Sequence, residues 1–342
     1  NNMSNTNRMA YLDAQHRFTL IEGPVPEPRE DEVIVKIVAN GICGSDLHFF
    51  NEGRLGNFVV TKPYIPGHEA SGIIMGIGSK VQGLSVGNHV VIEPGIPCGR
   101  CRYCRSGRYN LCREVIFLSA PPINGTFCDY IAIRYDSVHV IPGNMLLEHG
   151  ALVEPTAVAV HAVNRARFCK GDTAVVVGVG PIGLLTLQAF KAAGGGKVIC
   201  MDKIPKRLEL AKELGADEVI DIAQVNSELH DIADVVFETA GSAKATSTLF
   251  ELVRPGGCVV QIGWPGGNIV DMNIATFIDK ELDYVAVNRY ANAFQTAISW
   301  ISDGRINVES LITHKYPLDQ IEEAFRFTLM NPTETIKTVV VN

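Results

Sequence analysis

The sequence predicts an α/β protein in which a β-rich domain is joined to a second domain with a doubly wound parallel sheet. Three observations carry that expectation. The chain has 342 residues, more than one hydrophobic core usually serves, so two domains are the natural division. From Tyr11 to Val140 short β-type runs alternate with turn-rich pieces, the pattern of an antiparallel β domain. From Thr173 onward short β-branched runs alternate with helical stretches, as a parallel sheet with crossover helices requires.

Composition narrows the function classes. Hydrophobic residues make up 46% and charged residues 20%, without long like-charge blocks or low-complexity tracts, so an ordinary soluble globular protein is expected. No apolar run approaches membrane-spanning length and the amino terminus is not of the secretory type, which makes the cytoplasm the expected location and a membrane partner unexpected. A net charge of −7 disfavours nucleic acid as the main partner. The opening NNMSNTN is polar and featureless and is excluded from the fold.

In the β domain, Gly23 to Pro28 is punctuated by proline and Val33 to Val38 is strand-like. The segment NGICGSDLHFF, Asn40 to Phe50, then crowds Cys43, Ser45, Asp46 and His48 behind that strand. Further on comes Pro66-Gly67-His68-Glu69 at a turn, and then a strand, Asn88 to Glu93. Singly, each residue has an ordinary reading: Cys43 as a small buried hydrophobe, His68 as a hydrogen-bonded turn histidine, Glu69 as a solvated charge. Together, a soft thiolate, an imidazole and a carboxylate suit a zinc ion with one coordination position left open.

The run CGRCRYCRSGRYNLC spaces Cys98, Cys101, Cys104 and Cys112 as CxxCxxCx7C. The two-residue gaps bring neighbouring thiolates onto one ion and the longer loop returns the fourth, closing a tetrahedron with no place for substrate. A structural zinc pinning a lobe at about residues 95–113 follows. The other five of the nine cysteines are scattered, so clustering points to metal rather than disulfides. Arg100, Arg102, Arg105, Arg108 and Arg113 raise the alternative of a zinc-ribbon nucleic-acid binder. Acidic overall charge and the lack of a following recognition helix favour arginines that solvate an exposed lobe.

Short runs and turns continue to Val140, and Gly150-Ala151-Leu152-Val153-Glu154-Pro155 then sets a carboxylate in an apolar run before a helical stretch, Thr156 to Ala166. A buried glutamate is costly unless paired or metal-bound, so Glu154 is a candidate third or fourth ligand, bound directly or through the metal's water. His89, His139, His149 and His161 are read as structural.

The second domain opens with the strand Thr173 to Val177, then Gly178-x-Gly180-x-x-Gly183, with Pro181 and Ile182 between the glycines, and a helical pattern from Ile182 to Ala193. A further apolar run, Lys197 to Met201, ends on Asp202, where a dinucleotide-binding βαβ unit carries its ribose-binding carboxylate. Asp202 would accept hydrogen bonds from a ribose 2′-hydroxyl and repel a 2′-phosphate, favouring NAD over NADP, while Lys203 and Arg207 soften the preference. Alternation continues with a helix Pro205 to Leu214, strands Glu218 to Asp221 and Asp234 to Glu238, a helix Ser242 to Val253, and strands Gly256 to Gly263 and Leu282 to Val287. Past them, Arg289 and Tyr290 sit at the crossover, as cleft residues or as a surface pair. A helix Ala291 to Ile301 and a tail from Leu311 to Val341, with β-like runs around a helix, return the chain to the first domain.

In this order and spacing, GICGSDLH, GHEASG, the CxxCxxCx7C lobe, ALVEPTAVAVHA and VGVGPIG resemble the zinc-dependent medium-chain alcohol dehydrogenases over essentially the whole chain. Within that family the sequence is most similar to the polyol (sorbitol) dehydrogenase branch: GSD follows Cys43, Glu154 stands where classical alcohol dehydrogenases have cysteine, and NRYAN begins at Asn288. The resemblance implies a GroES-like catalytic domain over 1–155 and 289–342, a Rossmann domain over 156–288, and an active site between them. It implies that Cys43, His68, Glu69 and Glu154 provide or surround a catalytic zinc, that Ser45 and His48 form a proton relay, and that Arg289 and Tyr290 organise water and substrate.

One catalytic and one structural zinc per chain, NAD, a polyol or other secondary alcohol as substrate, and a homodimer or homotetramer are the corresponding expectations. Phe49 departs from the animal enzymes, which have a tyrosine there, and the four-cysteine lobe is a feature of bacterial members. The alternatives are an L-threonine 3-dehydrogenase, whose branch carries threonine where Ser45 stands, and a non-catalytic NAD- and zinc-binding scaffold.

Overall fold

Strand Glu32–Gly41, EVIVKIVANG, is apolar at most positions and buried along nearly its whole length. Such a strand needs cover on both faces and a neighbour on each side, and the first part of the molecule supplies them. In the computed structural model, which describes residues 4–225 and 228–342, it lies inside a seven-stranded sheet between Glu69–Ile77 and Lys337–Val341, with Tyr130–Arg134 also paired to it. On one face Val33, Val35 and Ile37 pack with Ile74, Val90 and their neighbours. A separate core gathers Leu12, Phe49, Tyr64, Phe127 and Phe325 under the helices Gly44–Glu52 and Ile321–Met330.

Most pairs in this sheet are antiparallel, as the turn-punctuated sequence predicts. One is not: Ile312–Pro317 and Lys337–Val341 run parallel, joined by the helix Ile321–Met330, because a helix between two strands returns the chain in the same direction.

The second part is a six-stranded, all-parallel sheet in the order Glu218–Asp221, Val198–Asp202, Ala174–Val177, Ala233–Glu238, Val253–Gln261, Asp283–Ala286. Its first strand, AVVV, is buried at every position, the continuous apolar run that a sheet covered on both faces demands. The strand order reverses at Ala174–Val177, the switch point beyond whose carboxyl end open α/β sheets bind ligands. The doubly wound fold and the β-rich first domain therefore stand as the sequence predicts.

The chain divides into Asn1–Glu154 with Val308–Asn342, and Pro155–Asn307. Residues 289–307, which the sequence reading assigns to the first domain, group with the second, because the helix Phe294–Ser302 and the following turn pack there; the Gln188 side chain donates to Asn307 O at 3.1 Å and accepts the Asn307 N–H at 2.6 Å.

One further expectation is corrected. The opening segment was to lie outside the fold, yet the strand Thr6–Leu12 begins within it, and Asn7 is buried, accepting from the N–H groups of Asp129 and Tyr130 and donating to Tyr130 O. Its amide supplies the pairing that polar residues otherwise seek from water. Residues 1–3 lie outside the described residues. Among the described residues no helix is long and apolar enough to cross a membrane.

Candidate functional site

Sheet register builds the first site. Gly41 ends its strand directly opposite Glu69, and Val339 pairs with Gly41 from the other side. Two residues beyond Gly41, Cys43 caps the helix Gly44–Glu52, and Asp46 in its first turn accepts the Cys43 N–H at 3.3 Å. Gly41 has no room for a side chain, since a Cβ would fall on the Glu69 carboxylate. The ligand atoms of Cys43, His68 and Glu69 consequently lie within 4.8 Å of one another.

The charges there are unusual for a protein interior. Asp46, His68, Glu69, Glu154 and Lys337 are all buried. Lys337 Nζ donates to Glu69 Oε1 at 3.0 Å and to Ile42 O at 2.9 Å. Glu69 Oε2 lies 2.9 Å from the same nitrogen without a hydrogen bond of its own. Burial, then the charge of Glu69, pushes the Cys43 thiol up to about 12. Burial raises the Asp46 carboxyl. For His68 burial opposes protonation, but Asp46, Glu154 and Glu69 outweigh it and raise its pKa. Lys337 is raised in the same way: burial opposes the charge, and Glu69 and Cys43 overcome it. A thiol and several carboxyl groups against one ammonium form a set that a divalent cation would balance, taking the thiol's proton's place.

His68 is oriented for that task. Its Nδ1 is 2.8 Å from Ser119 Oγ and 3.7 Å from Asp46 Oδ1, which leaves Nε2 as the nitrogen free to ligate. The residues therefore fit a zinc ion held by sulfur, nitrogen and a carboxylate. Glu154, on the helix Val153–Arg165, stays outside the three-ligand group, although its charge acts on His68 and Lys337.

Ser45 and His48 fall one turn apart on the helix Gly44–Glu52 and so share a face. Ser45 is half-buried, and His48 is exposed, with Glu52 at 3.8 Å. Phe49 is turned the other way, into the core against Tyr64.

The four cysteines of the lobe converge as their spacing predicts, with all four sulfurs within 4.8 Å and no disulfide among them. Backbone N–H groups of Cys98, Cys101 and Cys104 point at the sulfurs of Cys112, Cys98 and Cys101 at 3.4, 3.4 and 3.5 Å. The backbone N–H groups of Arg100 and then Cys101 lower the Cys98 thiol to about 7, the direction that favours thiolate and metal, whereas burial pushes the Cys104 thiol up to about 12. Of the arginines on this lobe, Arg100 pairs with Glu114 and Arg102 lies over the Tyr103 ring.

In the parallel sheet, the strand Ala174–Val177 turns at Gly178, whose φ of 85° suits glycine, and Pro181 opens the helix Pro181–Ala192. A Cβ on Gly183 would fall far inside contact distance of the Gly178 carbonyl oxygen, so helix and turn approach as only glycine permits. Ile182 stands in the first turn of that helix, whose N-cap is Gly180. The helix amino terminus and this cradle fit a pyrophosphate.

Asp202, 7% exposed at the end of the next strand, accepts Val179 N–H at 2.8 Å and Lys203 and Ile204 N–H at 2.7 and 2.9 Å. It therefore ties the glycine turn to the strand end. Lys203 is exposed. Arg207 lies over Gly180, its guanidinium 3.3 Å from where a Cβ would be; burial lowers its pKa and Asp202 opposes the shift. Arg289 is half-buried with a φ of 57°, and Tyr290 is buried against Phe294 with ring centroids 5.2 Å apart.

Three residues of the first site escape the sequence reading as functional ones. Asp46 is visible there as part of a polar cluster, without a role. Ser119 sits in a stretch with no periodic signal, and Lys337 reads as the polar member of a β run.

Residues 29–143 match the family model for the alcohol dehydrogenase GroES-like domain, and residues 181–303 that for zinc-binding dehydrogenase. The chain is 41% identical to sorbitol dehydrogenase of Bacillus subtilis over 324 residues, 93% of this chain and 92% of that protein. It is 37% identical to a probable D-xylulose reductase A of Aspergillus clavatus over 328 residues, 92% of this chain and 91% of that protein. Among solved structures, L-idonate 5-dehydrogenase of Escherichia coli superposes with a TM-score of 0.93 at 32% identity, covering 98% of both chains.

Proposed function

The chain belongs to the zinc-dependent medium-chain dehydrogenase family, in its polyol dehydrogenase branch, and from that premise we propose that it oxidises a secondary hydroxyl of a sorbitol-like polyol to the ketone, with NAD as hydride acceptor. The observation that carries the reading is the meeting of Cys43, His68 and Glu69 within 4.8 Å in a chain that also holds the glycine turn and Asp202.

Cys43, His68 and Glu69 would hold a zinc ion, whose Lewis acidity would bring the ionisation of a carbinol towards neutral pH. The chain's own groups do the rest. Ser45, beside Cys43 in sequence, would take the carbinol proton while giving up its own hydroxyl proton towards His48, one turn on and exposed, which would pass a proton to water. Glu154, buried next to this set, is read as a ligand through water or as a group that orients a neighbouring hydroxyl of the polyol. Gly178, Gly180, Pro181, Ile182 and Gly183 are read as the pyrophosphate cradle, and Asp202 as the group that selects NAD, with Lys203 and Arg207 weakening the selection. Arg289 and Tyr290 are read as substrate- and water-organising residues. The lobe residues Cys98, Cys101, Cys104 and Cys112 are read as ligands of a second, structural zinc.

We read the enzyme as a homodimer or homotetramer. The strand Asp283–Ala286 ends its sheet, and Trp264, Ile269, Ile274 and Ile278, which precede it in the chain, are exposed, features that a partner copy would cover. We place it in the cytoplasm, a reading supported by nine free cysteines.

NADH formation across sorbitol, xylitol, other sugar alcohols, inositols, L-threonine and simple secondary alcohols, together with zinc analysis, tests the proposal. Turnover of acyclic polyols with zinc at both sites is expected. Zinc at the lobe alone with no turnover would support a scaffold, and turnover of threonine only would move the chain to that branch.

A further inference from the structure

The segment that leaves the four-cysteine lobe runs straight to the first site. Residues Ile116–Phe117 pair with Gly95–Ile96 across the base of the lobe, and Leu118 N–H is held by Pro94 O at 3.0 Å. Phe117 then sets its ring 5.5 Å from the His68 ring. Ser119, 3% exposed, has its hydroxyl 2.8 Å from His68 Nδ1. It does so with a φ of 72°, the left-handed region that L-residues other than asparagine and aspartate rarely occupy.

Hydrogen bonds at Leu118 and from Ala120 N–H to Phe117 O, 3.2 Å, fix the backbone on both sides. A strained residue that its surroundings over-determine is a mark of function. Asp46 is not an equivalent partner: its Oδ1 is 3.7 Å from Nδ1 and takes the Gly67 N–H at 3.4 Å.

We propose that Ser119 is the positioning residue of His68: its hydroxyl accepts the Nδ1 proton, so that the ring plane and tautomer are set with the Nε2 lone pair aimed at the cation. This rests on the reading of Cys43, His68 and Glu69 as a metal site and deepens it, because it assigns the orientation of one ligand to a residue delivered by the lobe. Ser119 acts through the imidazole, whose Nδ1 its hydroxyl meets.

The test compares Ser119→Ala and Ser119→Gly in the full-length, zinc-loaded protein, reading zinc content against a graded chelator, with Cys43→Ala as the reference that keeps lobe metal only. Both variants lose the hydroxyl, but glycine relieves the left-handed backbone and alanine does not. First-site metal is expected to bind about tenfold more weakly in both, with lobe metal retained, while the glycine variant melts above the alanine variant. The proposal is overturned if either variant keeps wild-type affinity, or if affinity recovers with stability in the glycine variant. A wild-type protein that holds zinc at the lobe alone sinks the metal-site reading itself, and this proposal with it.

Discussion

Lys337 and Glu69 form an ion pair at 2.9 Å with side chains only 4% and 1% exposed. Removing one member of a buried pair leaves an uncompensated charge, whereas removing both leaves none. Lys337→Met is therefore expected to lower unfolding stability by about 3 kcal/mol, measured by urea denaturation of protein and variant alike after chelator treatment, and Glu69→Gln in addition is expected to restore part of the loss. A single variant within about 0.5 kcal/mol of wild type would show that the pair contributes nothing net.

How far the sequence foretells this arrangement depends on whether neighbours are set by spacing or by sheet register. The CxxCxxCx7C run and the glycine turn are local: gap lengths alone bring Cys98, Cys101, Cys104 and Cys112 together, and a strand ending on Gly178 must turn into its helix. Cys43, His68 and Glu69 were legible by residue type, since sulfur, imidazole and carboxylate crowded into turns suit few other purposes. Lys337 was not, because it meets Glu69 from 268 residues away through a strand pairing that no periodicity announces. Ser119 was hidden for the same reason, and Asn7 because a short polar opening gives no hint that a strand starts inside it. The parallel return of Ile312–Pro317 to Lys337–Val341 reads as two β runs around a helix, without revealing their direction.

Cys43→Ala should abolish turnover and strip the first-site zinc while leaving lobe zinc and NAD binding in place. Elemental analysis with a fluorescence titration of NADH checks it. The sulfur is the one soft ligand of the set, and the buried residues left behind offer no replacement. Full activity in this variant would defeat the assignment of the site.

Asp202→Ala is expected to weaken NAD binding about tenfold, in line with loss of charged hydrogen bonds, and to narrow the gap to NADP. The Val179 N–H loses its acceptor at the same time, so binding of both dinucleotides should soften. Dissociation constants for the two cofactors decide it, and an unchanged ratio would remove Asp202 from cofactor selection.

His161 carries the clearest pH signature outside the metal site. Burial, then the neighbouring Arg165 charge, lowers its pKa in the folded protein. The unfolded chain then binds more protons than the folded one below about pH 6.5, so stability falls as pH drops through that value until the lowered folded pKa is reached. His161→Gln should therefore show a smaller fall in Tm between about pH 7.5 and pH 5.5 than the wild type. Parallel melting curves for the two proteins would exclude a contribution from this histidine.

The strand Lys337–Val341 sits beside Glu32–Gly41 in the seven-stranded sheet, and the segment Pro155–Asn307 intervenes between them in the chain. A ribosome therefore releases the nucleotide-binding half as one uninterrupted stretch, able to fold while synthesis continues. The metal-binding half must wait with a gap in its sheet, and the ammonium that neutralises Glu69 is translated only after that stretch has emerged. Nascent chains stalled before residue 337 would thus expose an unpaired strand edge and an unbalanced acidic pocket, the state most in need of a chaperone.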